Sequence, residues 1–104
     1  MIVVTTETVQ GREVAEVLGL VRGNAVRARG FVFDITAGIR NIFGGAIPEY
    51  SKLISTTREE ATQNMIRAAE ELGADAVLNL RYTTSMVTGG ASEILAYGTA
   101  VKLR

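Results

Sequence analysis

The sequence contains no cysteine and no histidine. Disulfides, thiolate nucleophiles, imidazole acid–base chemistry and every zinc site built on Cys or His are thereby excluded, and carboxylate, hydroxyl and amide oxygens are the metal ligands to expect. Tryptophan is absent, proline occurs once, and aromatic residues make up 6% of the chain. Net charge is missing as well. Eleven Lys and Arg balance eleven Asp and Glu, so there is no long-range field of the kind that drives binding to nucleic acid or anionic membranes. No apolar run approaches the ~20 residues of a membrane span. Met1 to Glu7 lacks both the basic start and the apolar stretch of a signal peptide. A cytoplasmic location, with neither nucleic acid nor membrane as partner, is the expectation.

What is present is 104 residues with 47% hydrophobic content and a mean hydropathy of +0.21. That length makes one domain spanning 1–104, because splitting it would leave two undersized cores. Area scaling for this mass predicts roughly 65% of the surface buried on folding, so a real core is feasible. The apolar content is high for a small monomer, and association is one way to cover the surplus.

Along the chain, Glu13 to Val26 is rich in valine and too glycine-broken for a helix, with apolar residues pointing both ways. It reads as a strand covered on both faces, by the protomer's own helix and by a neighbouring copy. Gly19 and Gly23 would permit a bulge or close backbone approach. Phe31 to Phe43 places Val32, Ile35, Ile39 and Ile42 on one stripe of a short helix, ended by Gly44-Gly45. Pro48 fits the first turn of a long amphipathic helix whose stripe is Tyr50, Ile54, Thr57, Ala61, Met65, Ala68 and Leu72. The capping patterns in Ser55-Thr56-Thr57 make a kink or restart there an expectation, and Gly73 suits the position just past the helix end.

Ala76 to Val87 alternates, with Leu78, Leu80, Tyr82 and Met86 expected on one face and Asn79, Arg81, Thr83 and Ser85 on the other. Gly89-Gly90 supplies a turn. The last strand, Glu93 to Leu103, places Leu95, Tyr97, Val101 and Leu103 on a shared side. The class is α+β: a mainly antiparallel sheet packed on one long helix plus a short one.

The run Asp34-Ile35-Thr36-Ala37-Gly38-Ile39-Arg40-Asn41-Ile42-Phe43-Gly44-Gly45, followed by Tyr50, Leu72-Gly73-Ala74-Asp75-Ala76-Val77 and Gly98-Thr99-Ala100-Val101-Lys102, resembles the YbjQ-like family of small uncharacterised proteins. The likeness spans nearly the whole chain in the same order. It implies a dodecin-like subunit assembling into a homo-oligomeric ring, usually a homopentamer, with no established biochemical activity. The family also carries a heavy-metal-binding label, which in this chain lacks the soft and borderline ligands it would need.

The segment from Asp34 to Tyr50 is the most distinctive in chemistry. Arg40, with the free N–H groups near Pro48, suits an anion or the carboxylate of a small ligand, and the ligand-binding candidates are Asp34, Arg40, Asn41, Gly44, Gly45 and Tyr50. The plainer alternative pairs Asp34 with Arg40 across a subunit interface and leaves the glycines to the turn. Asp34, Glu49 and Asn41 offer the oxygen ligands that Mg²⁺ or Ca²⁺ prefer, but without the spacing of a known loop no metal is assigned. No cofactor is expected. Gly19 to Ala25 lacks both the dinucleotide fingerprint and the phosphate-loop lysine. Ser51, Ser55 and Ser92 have no histidine base, Lys52 has no activating partner, and no catalytic residue is assigned.

Glu59-Glu60 and Glu70-Glu71 read as a solvated helix face, Tyr82 and Tyr97 as core or interface anchors, and Arg22, Arg27 and Arg29 as too small a basic cluster for nucleic acid. The expected function is a non-enzymatic ring whose partner is itself, with a small anionic ligand at inter-subunit pockets near Arg40. The rival is a metal-binding protein or enzyme with an oxygen-ligand or Arg-centred site at the subunit boundary, built from Asp34, Arg40, Asn41 and Tyr50. An adaptor ring displaying the acidic helix face is a third reading.

Overall fold

The computed structural model describes residues 1–27, 46–87 and 91–104, with side chains described at 1–26, 54–86 and 92–104. In chain order the elements are β1 (Ile2–Val3), β2 (Val14–Arg27), α1 (Ala46–Glu71), β3 (Ala76–Val87) and β4 (Ala91–Leu103). The strands form one sheet in the order β1-β3-β4-β2, with β4 antiparallel to both β2 and β3, and β1 parallel to β3. The sheet is thus mixed. A two-residue strand lies below what a periodicity of two can reveal, which is why β1 is not visible in the sequence. The expected short helix over Phe31 to Phe43 and the turn at Gly89-Gly90 lie outside the described residues.

Helix α1 runs unbroken through Ser55, Thr56 and Thr57, so the expected restart is absent. Thr57 is fully buried at the head of a stripe that continues through Ala61, Met65 and Ala69. The steps are four residues each, which moves the end of the stripe from the expected Ala68 and Leu72 to Ala69. Leu72 has left the helix and is 48% exposed. The helix closes as expected on Gly73, whose φ is +78°. The Gly73 N–H donates to Glu70 O at 2.9 Å and the Ala74 N–H to Ala69 O at 3.1 Å, the paired bonds of a Schellman cap.

Both glycines of β2 serve the roles their sequence context suggests. The pairing of β2 with β4 shifts by one residue between Val14 and Glu16 and again between Val17 and Gly19, and Gly19 takes a φ of +119° at the second shift. Gly23 lies directly under α1. A Cβ there would fall 2.1 Å from Met65 N, 2.4 Å from Ala61 O and 2.7 Å from Asn64 C. No side chain fits, so helix backbone rests on strand backbone, and the Asn64 side-chain amide adds a 3.0 Å bond to Asn24 O.

The core between α1 and the sheet is built of Val21, Ala25, Ala61, Met65, Ala69, Val77, Ile94, Ala96 and Ala100. Most of these are small, as so close an approach requires. Leu95, Tyr97, Val101 and Leu103 do share a side of β4, as expected, but it is the side away from α1. The helix side of β4 is carried by Ile94, Ala96, Gly98 and Ala100.

β3 has the expected boundaries but not the expected faces. Leu78 pairs with Thr99 and Arg81 with Tyr97, so β3 has one more residue than β4 across this interval. Asn79, with a φ of 54°, makes the bulge. Leu78 therefore sides with Arg81, Thr83 and Ser85, while Leu80, Tyr82 and Met86 join Val77 on the helix side. The freed N–H groups find partners in the N-terminal segment: Asn79 donates to Thr6 O and Leu80 to Val4 O, each at 3.0 Å. Val4 and Val9 then cover a second cluster of Ala76, Leu78, Val101 and Leu103 at one end of the far face.

Because the contact at Gly23 is backbone to backbone, Gly23→Val is expected to lower unfolding free energy by about 3 kcal/mol or more, through overpacking that no rotamer relieves. Gly11→Ala, at a φ of +80° in open space, is expected to cost only about 1–2 kcal/mol. Urea unfolding of the two variants measures the contrast.

Candidate functional surface on the outer face of the sheet

Among the described residues, the side of the sheet away from α1 is covered by residues 4–9 at one end only. Beyond that end, cross-strand partners share this face in rows: Leu20 with Thr99 and Leu78, then Arg22 with Tyr97 and Arg81, then Asn24 with Leu95 and Thr83, then Val26 with Glu93 and Ser85. Val17, Leu20 and Val26 are 65%, 67% and 54% exposed, and Leu95 and Tyr97 are half-buried. This is apolar surface of the kind a folded chain normally covers.

Across its middle, two guanidinium groups flank one phenol. Arg81 is fixed, its Nη1 donating to Thr5 O at 2.9 Å and to Leu80 O at 2.8 Å, so it ties the N-terminal segment to the bulge. Arg22 is exposed on the opposite strand, and among the described residues it forms no ion pair. The row escaped sequence reasoning because the bulge at Asn79 shifts Arg81 by one position relative to Leu78, and nothing in a simple alternation signals that shift.

Of the residues singled out from the sequence, Asp34, Arg40, Asn41, Gly44, Gly45 and Arg29 lie outside the described residues. Tyr50 and Glu49 belong to the first turns of α1, and their side chains, with those of Ser51, Lys52 and Arg27, also lie outside the description. Ser92 is buried, and the Ser55 hydroxyl accepts a 3.3 Å bond from Arg58 Nη2. Glu59, Glu60, Glu70 and Glu71 are exposed on the helix, in keeping with a solvated face. Tyr97 is half-buried on the outer face, whereas Tyr82 is 41% exposed on the helix side and anchors no core. Among the described residues no group of three acidic side chains gathers to hold a metal ion, and no helix is long and apolar enough to cross a membrane.

The pattern that defines the YbjQ family, described as "Putative heavy-metal-binding", matches residues 1–104. The chain belongs to the YbjQ family. Among its relatives are UPF0145 proteins from Archaeoglobus fulgidus, 57% identical over 104 residues covering 100% of this chain and 96% of that one, and from Methanosarcina acetivorans, 50% identical over 103 residues covering 99% and 97%. A third, from Photobacterium profundum, is 52% identical over 103 residues and covers 99% of this chain and 100% of its own length. A crystal structure from Pediococcus pentosaceus, described as a protein of unknown function in the DUF74 family, matches the fold with a TM-score of 0.66 at 18% identity, covering 100% of this chain and 98% of that one. YbjQ relatives of this kind are uncharacterised, and their names assign no biochemical function.

If Arg81 ties the N-terminal segment to the bulge, Arg81→Met should raise amide hydrogen exchange at Asn79 and Leu80 several-fold, leaving the amides of α1 unchanged. Exchange read by NMR at those two positions checks it.

Proposed function

We propose that this YbjQ chain is a cytoplasmic, non-enzymatic protein that works as a homo-oligomeric ring, a dodecin-like homopentamer, and holds a small anionic ligand at inter-subunit pockets near Arg40. The observation that carries the reading is the outer face, where Val17, Leu20 and Val26 are each more than half exposed and no described residue beyond 4–9 covers them. A second copy is the covering that the two-sided apolar pattern of β2 calls for.

Shape supports it. The radius of gyration is 17.2 Å, with extents of 55 × 22 × 17 Å, against about 13 Å for a compact domain of this length. The accessible surface is 6596 Å², where scaling for this mass gives roughly 5,700 Å². The excess is of the order that one partner contributes to a standard protein interface. A heterologous contact repeated around a closed axis uses such a face in every copy.

Native mass spectrometry at near-physiological ionic strength tests the assembly. The expected mass is five times that of the 11.1-kDa chain, and a bare monomer would overturn the proposal. Leu20→Asp, which places a charge in the centre of the contact, should shift the spectrum to monomer. For the ligand, Arg40→Ala should keep the ring mass and lose a phosphate adduct formed by the unsubstituted protein. Loss of the ring in that variant would instead make Arg40 a structural ion pair.

A further inference from the structure

The middle row of the outer face concentrates positive charge in a chain whose net charge is zero. Arg22, Tyr97 and Arg81 are directly opposed across β2, β4 and β3, so their side chains leave one face of the sheet as neighbours. Strand spacing sets the two arginine backbones about 10 Å apart, with the phenol between them. Both arginines are exposed. The row lies well inside the strand, about 17 Å ahead of Arg27 at the end of β2.

The donors in this row that would meet an anion are unspent. Arg81 gives Nη1 to two carbonyls, Thr5 O and Leu80 O, which holds the guanidinium in place and leaves the side-on fork of Nε and Nη2 without a partner among the described residues. Neither Arg22 nor the half-buried Tyr97 hydroxyl makes a hydrogen bond among the described residues. Two carboxylates are the candidates to balance the charge: Glu93, two rows further along the face, and Glu7 in the N-terminal segment. Neither forms an ion pair among the described residues. Two positive charges thus stand among Leu20, Leu95 and Val26 with no carboxylate bound to either. A second copy closing over this face strips water from both, and a cation buried without an anion is strongly unfavourable.

We propose that Arg22, Arg81 and the Tyr97 hydroxyl together bind a phosphoryl dianion, and that copies of the chain close over the occupied site. Charge selects the ligand. Inorganic phosphate or a phosphate monoester carries close to two negative charges near neutral pH, matching two guanidinium groups, and its oxygens accept from both arginines and the phenol at once. A nucleic acid is a poorer match, since zero net charge gives no field along a strand and the row offers one aromatic ring for stacking. The site uses none of the residues assigned to the ligand near Arg40. Its coupling to assembly rests on the ring proposed above, whereas the binding itself does not. Because the dianion is held more tightly where two copies exclude water, it stabilises the assembled state by mass action.

The three tyrosines make the test direct, since Tyr97 lies in the row, Tyr82 on the helix side of the sheet, and Tyr50 in the segment that carries the other anion candidates. In protein labelled with ¹³C in the tyrosine rings, titration with inorganic phosphate at constant ionic strength is expected to move the Tyr97 resonance saturably and leave Tyr82 in place. Arg22→Gln, at an exposed position, should weaken that binding about tenfold, with an unchanged Tyr82 signal showing that the fold is intact. In sedimentation velocity, phosphate in place of chloride should hold the assembly together at a several-fold lower protein concentration, and the Arg22→Gln variant should not distinguish the two buffers. A still Tyr97, movement of Tyr50 alone, an equal response to chloride, or an Arg22→Gln variant that binds normally would overturn the site. An assembly indifferent to phosphate would overturn the coupling and assign the two arginines to carboxylates of the neighbouring copy. A chain that stays monomeric while Tyr97 moves would fail the ring and uphold the site.

Discussion

The seat of α1 on Gly23 is the constraint from which the rest of this architecture follows. Helix–sheet packing through side chains leaves the two layers about 10 Å apart and adjustable, whereas backbone on backbone fixes the separation and the lateral position together. Once the helix is set there, the residues around it must be small. Ala61 and Ala69 on the helix and Ala25, Ala96 and Ala100 on the strands satisfy that demand, and Met65 is the largest of the fully buried side chains. Among the described residues, the helix reaches β3 past Leu80 through the Thr62–Tyr82 hydroxyl contact, and the far face of the sheet has residues 4–9 to cover one end of it.

A good part of this was legible. Valine density and glycine spacing marked β2 and both special glycines, four-three spacing marked the helix, and alternation marked β3 to the residue. Gly73 was readable because a left-handed cap leaves a strong chemical preference. The failures have physical causes. A helical stripe is wider than one residue, so Ala68 and Ala69 compete for the same inward position, and depth decides. The bulge at Asn79 reverses the faces of everything before it relative to everything after, and asparagine in a left-handed conformation has no fixed sequence context. The helix side of β4 consists of alanine and glycine, which a hydrophobicity pattern underrates against Leu95 and Tyr97 on the other side.

Site reasoning followed chemical distinctiveness and so settled on Asp34, Arg40, Asn41, Gly44, Gly45 and Tyr50. Tyr82 and Met86 read as core from their alternation, and only the burial contrast with their β4 partners shows that they are exposed. The family description points to heavy metals, but a chain without cysteine or histidine offers such ions, besides three methionine thioethers, chiefly hard oxygen donors, a poor match for soft acceptors. Oxyanions and carboxylates are the better match to the exposed guanidinium groups.

The two register shifts in β2 have a consequence for solubility. Among the described residues β2 is an edge strand of 14 residues, long enough, if straight and flat, to recruit a stray strand from another molecule. Each extra residue twists the strand and breaks the even row of outward N–H and C=O groups, and the left-handed Gly19 adds a bend that a flat incoming strand cannot follow. The irregularity placed just before the exposed Leu20 thus works against edge-to-edge pairing along this strand.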